Sequence, residues 1–396
     1  MSAPLEPRPA ADAPPRVLLV HNAYQYRGGE DAVVDAEEAL LRQHGHAVLR
    51  YQRSNDDIAA GTSRLQLAKD TVWSARTTQD IARWVSDFRP DIVHVHNTLP
   101  LVSPSVYWAA HRAGVPVVQT LHNFRLLCPQ AMLLREGRIC EDCVGHVPWR
   151  AVVHRCYRDS ASQSAAVAAT VQVHRWAGTW QQKVTRYIAL NEFCKAKFIE
   201  GGLPAERISI KPNFVDLPAP PVQPRDGLLF VGRLSQEKGL DVLARALRQT
   251  GTAVRIRVVG SGPDRELLQG LPNADVVGPL DAQAVYAQMA RASALVLPSI
   301  WYENFPRTLV EAFACGLPVI ASRLGALATL VRDGQTGLLF EAGDAADLQR
   351  KLEWATAHPA EMQAMGAAAR AQYESAWTPG ANYKALLAIY DQAMQR

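Results

Sequence analysis

What the chain lacks narrows its function before any motif is considered. No uninterrupted apolar run in its 396 residues approaches the roughly 20 that a membrane-spanning helix needs. The opening MSAPLEPRPAADAPP has neither a basic start nor an apolar core, so it does not read as a secretory signal. It reads instead as a disordered Pro/Ala-rich tail over residues 1–15. A cytosolic chain is expected, its six cysteines reduced rather than paired. No G-x-G-x-x-G with a downstream acid occurs, which disfavours a dinucleotide-dependent oxidoreductase. No lysine stands in a context suited to pyridoxal phosphate, and no short-period repeat is present. Net charge is only +4, but it is unevenly spread. Residues 125–186 hold nine basic and four acidic side chains, whereas residues 215–396 balance at 17 against 18. Such an excess is either an ordinary solvated surface or a face for an anionic membrane or a phosphate-bearing acceptor.

What is present is an alternation of short apolar runs with helix-length segments, in a chain long enough for two domains. The first half offers strands in RVLLV (16–20), DIVHVHN (91–97), VPVVQTLHN (115–123), RYIALN (186–191) and RISIKPNF (207–214). The second half offers GLLFVGRL (227–234), VRIRVVGSG (254–262), ADVVGPL (274–280), ALVLPS (294–299) and PVIAS (318–322). Strands apolar on both faces and separated by helices indicate parallel sheets covered on both sides. DLPAPPVQPRD (216–226), with four prolines, can continue neither a helix nor a central strand and reads as a linker. The expected organisation is an α/β pair of doubly wound, Rossmann-like domains facing across a cleft: 16–215 with a Cys-rich insertion at 124–160, then 227–376. A final helix, 377–396, buries one face. Ligands in such folds lie at the carboxyl ends of the strands.

Three loops at such ends carry chemistry. Gly28 and Gly29 follow the first strand and precede a helix with an acidic first turn; the pair suits close backbone approach to a ligand, or simply a tight turn. In LLFVGRLSQEKG, Gly232 ends a strand, Arg233 follows, and Lys238 precedes a helix. A guanidinium fork and an ammonium at that edge suit a diphosphate, although two surface cations are also common. In SIWYENFPRTLVEAFACGLPVIAS, Glu303 lies in a loop, Pro306 in a first helical turn and Glu311 about two turns into the helix. Free N–H groups near residues 305–308 offer phosphate a seat at the helix's positive end, and Asn304, Phe305, Pro306 and Arg307 are expected to line it. Glu303 then faces what the phosphate carries on one side, and Glu311 accepts hydroxyls of what it carries on the other. The bland alternative is a helix-start acid and a solvated one.

Glu-x7-Glu between LVLPS and EAFACGLPVIAS, preceded by FVGRLSQEKG and VVGSGP, resembles the glycosyltransferase family 4 pattern on a GT-B fold. The likeness continues through RYIALNEFCKAKFIEGGLPAERISIKPNFVD and, more loosely, GGEDAVV and TLHNF. It implies a retaining, metal-independent hexosyltransferase that uses a nucleotide-sugar donor and no catalytic cofactor. It places Arg233 and Lys238 on the diphosphate, Glu311 on the ribose, Glu303 on the donor sugar and His122 near the reacting centre. Gly28 and Gly29 would close over donor and acceptor, and the final helix would cross back onto the first domain. Two positions depart from the family pattern: Asn304 stands where many members have glycine, and Asn123 where an acid is frequent. A glycan or lipid-linked acceptor is implied, in bacterial cell-surface polysaccharide synthesis, with no nucleic-acid partner. A nucleotide-sugar epimerase, a sugar phosphorylase or a non-catalytic nucleotide-binding regulator are the competing readings.

The insertion adds Cys128, Cys140, Cys143 and Cys156, spaced C-x11-C-x2-C-x12-C. Four thiolates suit a structural zinc ion, with His146 or His154 able to replace one. An iron–sulfur cluster, a local disulfide or plain buried thiols also fit. Beyond it, residues 159–186 mix small apolar residues with Trp176, Trp180, Arg175, Lys183 and Arg186. That composition fits peripheral contact with the inner face of a membrane, or an amphipathic helix packed on its own domain.

Overall fold

Strands without a polar face need cover on both sides, and helices supply it for two sheets. The computed structural model describes residues 13–25, 28–58 and 63–395; most of the tail expected over 1–15 lies outside them. The first half runs β1 (Val17–Ala23), β2 (Val48–Ser54), β3 (Ile92–Asn97) and β4 (Val117–Thr120). A hairpin of β5 (Leu134–Arg135) and β6 (Arg138–Ile139) follows, then β7 (Arg186–Ala189) and β8 (Ile208–Ile210). All but the hairpin form one sheet in the order β2-β1-β3-β4-β7-β8, every pair parallel. The second half runs β9 (Leu228–Val231), β10 (Ile256–Val259), β11 (Ala274–Gly278), β12 (Ala294–Leu297), β13 (Val319–Ser322) and β14 (Gly337–Phe340). Its order is β11-β10-β9-β12-β13-β14, again parallel. Two doubly wound α/β domains are therefore present.

Winding reverses in each sheet, between β1 and β3 in the first and between β9 and β12 in the second. Loops leaving the carboxyl ends of such strands diverge and open a crevice, where ligands bind in this class of sheet. Residues 232–238 follow β9 and residues 298–306 follow β12, so the motif residues of the second half stand at its reversal point.

Residues 211–226 carry neither helix nor strand. The last helix, Pro379–Met394, packs on the first sheet rather than the second. Its Leu386, Ile389, Tyr390 and Ala393 join Val17, Leu19, Val118 and Ile188 in one buried cluster. In the second domain the helix Arg307–Ala314 sends Leu309, Val310 and Phe313 onto Leu295 and Val319. The helix Leu240–Gln249 covers the opposite face with Leu243 and Leu247 against Phe230 and Val258.

Candidate functional site

Glycines set the shape of the loop after β9. Gly239 has φ of 72°, and a Cβ there would lie 1.8 Å from the Pro298 carbonyl oxygen. Gly260, at φ 144°, would meet the Gly232 oxygen at the same distance. Any side chain at either position would push the 232–238 loop off the ends of β10 and β12. Held in this way, the loop presents both expected cations. The Arg233 side chain is largely exposed and donates to Ser235 Oγ (3.1 Å) and to Glu237 Oε1. Lys238 donates through Nζ to Glu303 Oε1 at 2.7 Å, beside the Trp301 ring. Ser299 Oγ also donates to Glu303 Oε1, at 2.7 Å. Arg233, Lys238 and Glu303 are thus brought together on adjacent loops. Glu237 and Ser299, which hold them, were not singled out from sequence; nothing distinguishes them until the loops are folded.

The start of the next helix differs from expectation in detail. Pro306 is the N-cap residue, with Arg307 the first helical one, so Glu311 lies little more than one turn in. The first helical bonds run from the N–H groups of Leu309 and Val310 to the Pro306 oxygen, which leaves those of Arg307 and Thr308 ahead of them. Phe305 is buried against Trp377, so its ring faces the core and only its backbone is available to a ligand. Arg307 Nε donates to Glu311 Oε1 at 2.7 Å. Burial pushes the Glu311 carboxyl above its usual range, with Arg307 acting against the shift.

Across the cleft, Asn304 has a role that glycine could not fill. Its Nδ2 donates to the His122 carbonyl oxygen at 2.7 Å, and its own carbonyl accepts from Asn191 Nδ2. The loop after β12 is thereby tied to the first domain at two points. The His122 ring shares a proton with His96, Nε2 to Nδ1 at 2.9 Å. Burial holds both imidazoles well below the usual histidine range, so both are neutral. Gly28 caps the first helix, Gly29–Gln43, and donates its N–H to Asp31 Oδ2 at 2.8 Å. Neither Gly28 nor Gly29 adopts positive φ, and both are exposed.

One residue of that helix start was noted from sequence only as an acid in its first turn. Glu30 accepts from the Tyr24 hydroxyl (3.0 Å) and from Asn123 Nδ2 (3.3 Å), while its Oε1 is buried with no partner among the described residues. Burial raises its carboxyl to about 7, offset in part by the Tyr24 bond. A carboxyl therefore stands beside residue 123 even though the chain itself has an amide there.

The four cysteines of the insertion are unpaired and line one small cavity. Of the two tryptophans noted after it, Trp176 is exposed, whereas Trp180 is buried and donates to the Val171 oxygen. Elsewhere, Glu37, His94 and His96 bring ligand-type atoms within 4.8 Å of one another. The Lys211 ammonium already lies on the Glu37 carboxylate, and a fixed cation there opposes a metal ion.

Two parallel-sheet domains facing across such a cleft define the GT-B class of fold. The same architecture is found in Anabaena HepE in complex with UDP, at TM-score 0.67 and 18% identity over 95% of this chain and 100% of that one. Sucrose-phosphate synthase from Thermosynechococcus elongatus matches at TM-score 0.69 and 18% identity, over 96% and 99%. The chain belongs to glycosyltransferase family 4: a family model described as Glycosyltransferase Family 4 matches residues 26–218, and one described as Glycosyl transferases group 1 matches residues 225–358. D-inositol 3-phosphate glycosyltransferase of Rhodococcus opacus is 31% identical over 70% of this chain and 62% of its own length. Phosphatidyl-myo-inositol mannosyltransferase of Mycobacterium leprae is 28% identical over 68% and 64%. The matched region thus spans somewhat less than two thirds of these relatives.

Proposed function

We propose that this protein is a retaining, metal-independent glycosyltransferase that moves a sugar from a nucleotide-diphosphate sugar to a glycan or lipid-linked acceptor. We place it in the assembly of bacterial cell-surface polysaccharide. The observation that carries the reading is the Lys238–Glu303 pair, at the winding reversal of the second sheet and beside an open helix start. In this reading the donor's diphosphate takes Arg233 from Glu237, engages Lys238, and accepts from the N–H groups of Arg307 and Thr308. Glu303 then orders the sugar and Glu311 the ribose. HepE, whose solved complexes hold UDP and UDP-glucose, makes uridine nucleotides the first donors to test.

In the reaction, the bond from the sugar's anomeric carbon to the diphosphate oxygen breaks and its electron pair leaves with the phosphate. The acceptor oxygen bonds to that carbon on the same face, and its proton passes to the departing phosphate. Charge builds on the phosphate as the sugar becomes oxocarbenium-like, so preset cations and backbone N–H groups lower the barrier. His122, neutral and fixed by its ring and carbonyl bonds, borders the reacting sugar.

The lipid-linked option has support in a surface around the insertion. Val147, Trp149, Val153 and Trp176 are exposed there together with Arg150 and Arg158. Apolar side chains interspersed with guanidiniums suit an anionic interface. A screen of UDP-, GDP-, dTDP- and ADP-sugars for slow nucleotide release tests the donor reading. One nucleotide should be released, and Lys238→Ala should lower that rate by about 10²–10³ with unchanged circular dichroism. Near-normal turnover by this variant would refute the assignment.

A further inference from the structure

The Cys-rich insertion has little regular structure to hold it. Between Phe124 and Ser160 it contains only the two-residue strands β5 and β6 and the five-residue helix Trp149–Val153. Six non-glycine residues at positive φ fall within it: Ala131, Leu133, Glu136, Arg155, Arg158 and Asp159. A segment with so many strained turns and so few ladder bonds persists only when its surroundings fix it.

Separate turns deliver the four cysteines to one place. The Cys128 N–H closes a turn on the Phe124 oxygen (2.8 Å), and that of Cys140, just after β6, donates to the Leu133 oxygen (2.9 Å). Cys143 lies in the next turn, and Cys156 follows the helix with its N–H on the Ala151 oxygen (2.9 Å). The cavity they line is also lined by Arg135, Arg150 and Asp142, with Arg135 2.8 Å and Arg150 3.6 Å from the Asp142 carboxylate. Asp142 is the immediate partner of both guanidiniums, and together they leave one net positive charge beside the thiols. A zinc tetrathiolate, formally dianionic, is complemented by that charge, and the convergence of four thiols from separate turns on one cavity is the feature that calls for a metal.

We propose that Cys128, Cys140, Cys143 and Cys156 bind one structural zinc ion, and that this ion makes the insertion a brace between the two domains. No three of the sulfurs lie within 4.8 Å of one another, so coordination draws the turns inward onto the ion. The brace reaches the second domain twice. Glu141, between Cys140 and Cys143, binds Lys197 at 2.8 Å, and Phe124, where the insertion begins, meets the ring of Tyr302, the residue before Glu303, edge to face with centroids 6.5 Å apart. Gly137, in the β5–β6 turn, lies so close to Gln236 that a Cβ would sit 3.4 Å from its Nε2. Gln236 belongs to the loop that carries Arg233 and Lys238. The bracing role rests on the donor-site reading above; the zinc site does not.

The test is elemental analysis of the full chain, purified without chelator or metal-affinity tag. About one zinc per chain is expected, as for a closed four-ligand site. Cys143→Ser should lose it, whereas Cys315→Ala, in the second domain, should keep it. Should Cys143→Ser fail to fold, titration of wild-type protein with a mercurial must release the zinc in step with four thiols. Zinc below about a tenth of that ratio, iron in its place, or a Cys140–Cys143 disulfide each overturns the site. If zinc is present but its removal leaves the KM for donor unchanged, the site stands and the brace fails. If no nucleotide-sugar is used at all, the donor reading fails while the metal content still decides the site.

Discussion

Single side chains account for what this chain does with its two departures from family pattern. Asn304 replaces a flexible glycine with a bond to the His122 carbonyl, giving up freedom in the loop for a fixed approach of the two domains. Asn123 offers no acid, but it helps hold one, because Glu30 arrives from the start of the first helix. Among the described residues, Asp31 and Arg125 are the charged groups that act on that carboxyl, with the Tyr24 hydroxyl bonded to it. Since its acidity is displaced upward to about 7, Glu30 is protonated below neutrality and ionised above. If the ionised form orders the acceptor hydroxyl, kcat/KM rises with pH through that region, and Glu30→Gln removes the inflection with a loss of about 10²-fold. An unchanged profile in the variant excludes that role. Stability has its own sign. A carboxyl whose acidity is weakened by folding contributes stability below its unfolded value and loses it as pH climbs through about 7, so Glu30→Gln should gain thermal stability over wild type at alkaline pH.

Among elements, legibility followed the length and apolar character of the run more than its burial: β11 is half exposed yet reads as a strand, and β14 is buried throughout yet does not. Val17–Val20, Val93, Val95 and the apolar runs of β9, β12 and β13 declare themselves by their apolar residues, which are covered on both faces. β2 and β14, one edge strand of each sheet, do not. Arg50, Gln52 and Arg53 give β2 a polar cast, and β14 is four residues opened by a glycine. Arg233, Lys238 and Glu303 were legible because strand ends are recognisable in sequence. Glu30 and Glu237 were not, since their partners are settled only by folding. The same limit applies to the tryptophans: one amphipathic-looking stretch holds both exposed Trp176 and buried Trp180. The helices Trp149–Val153 and Ala161–Trp176 therefore bear the membrane prediction. Wild-type protein should float with vesicles of anionic lipid, and Trp149→Ser with Trp176→Ser should weaken this by about tenfold, the order expected for lost apolar burial. Absence of flotation by the wild type ends the membrane proposal.

At the scale of the molecule, a buried polar network joins distant parts of the chain. Lys211, just before the linker, pairs with Glu37 of the first helix and donates to Asn382 Oδ1 of the last helix at 3.3 Å. Tyr390, also of the last helix, shares a hydrogen bond with His94 Nδ1 (2.8 Å), and the His94 and His96 rings lie side by side. His96 in turn meets His122. Burial lowers His94 to about 4, so it is neutral at pH 7. Breaking a dry ion pair strands a charge: Lys211→Met should cost about 3–5 kcal/mol in urea unfolding, and adding Glu37→Leu should restore much of it. A loss under about 1 kcal/mol for the single variant would mean that water reaches the pair.

The return of the last helix to the first sheet also orders events in time. A ribosome completes the first domain's own strands long before it makes Asn382 and Tyr390. Until those residues emerge, Lys211 lacks one of its oxygen partners and His94 lacks its phenol. The half of the protein that is born first is therefore finished last, and the His122 side of the cleft takes its full set of bonds only once the second domain has already been translated.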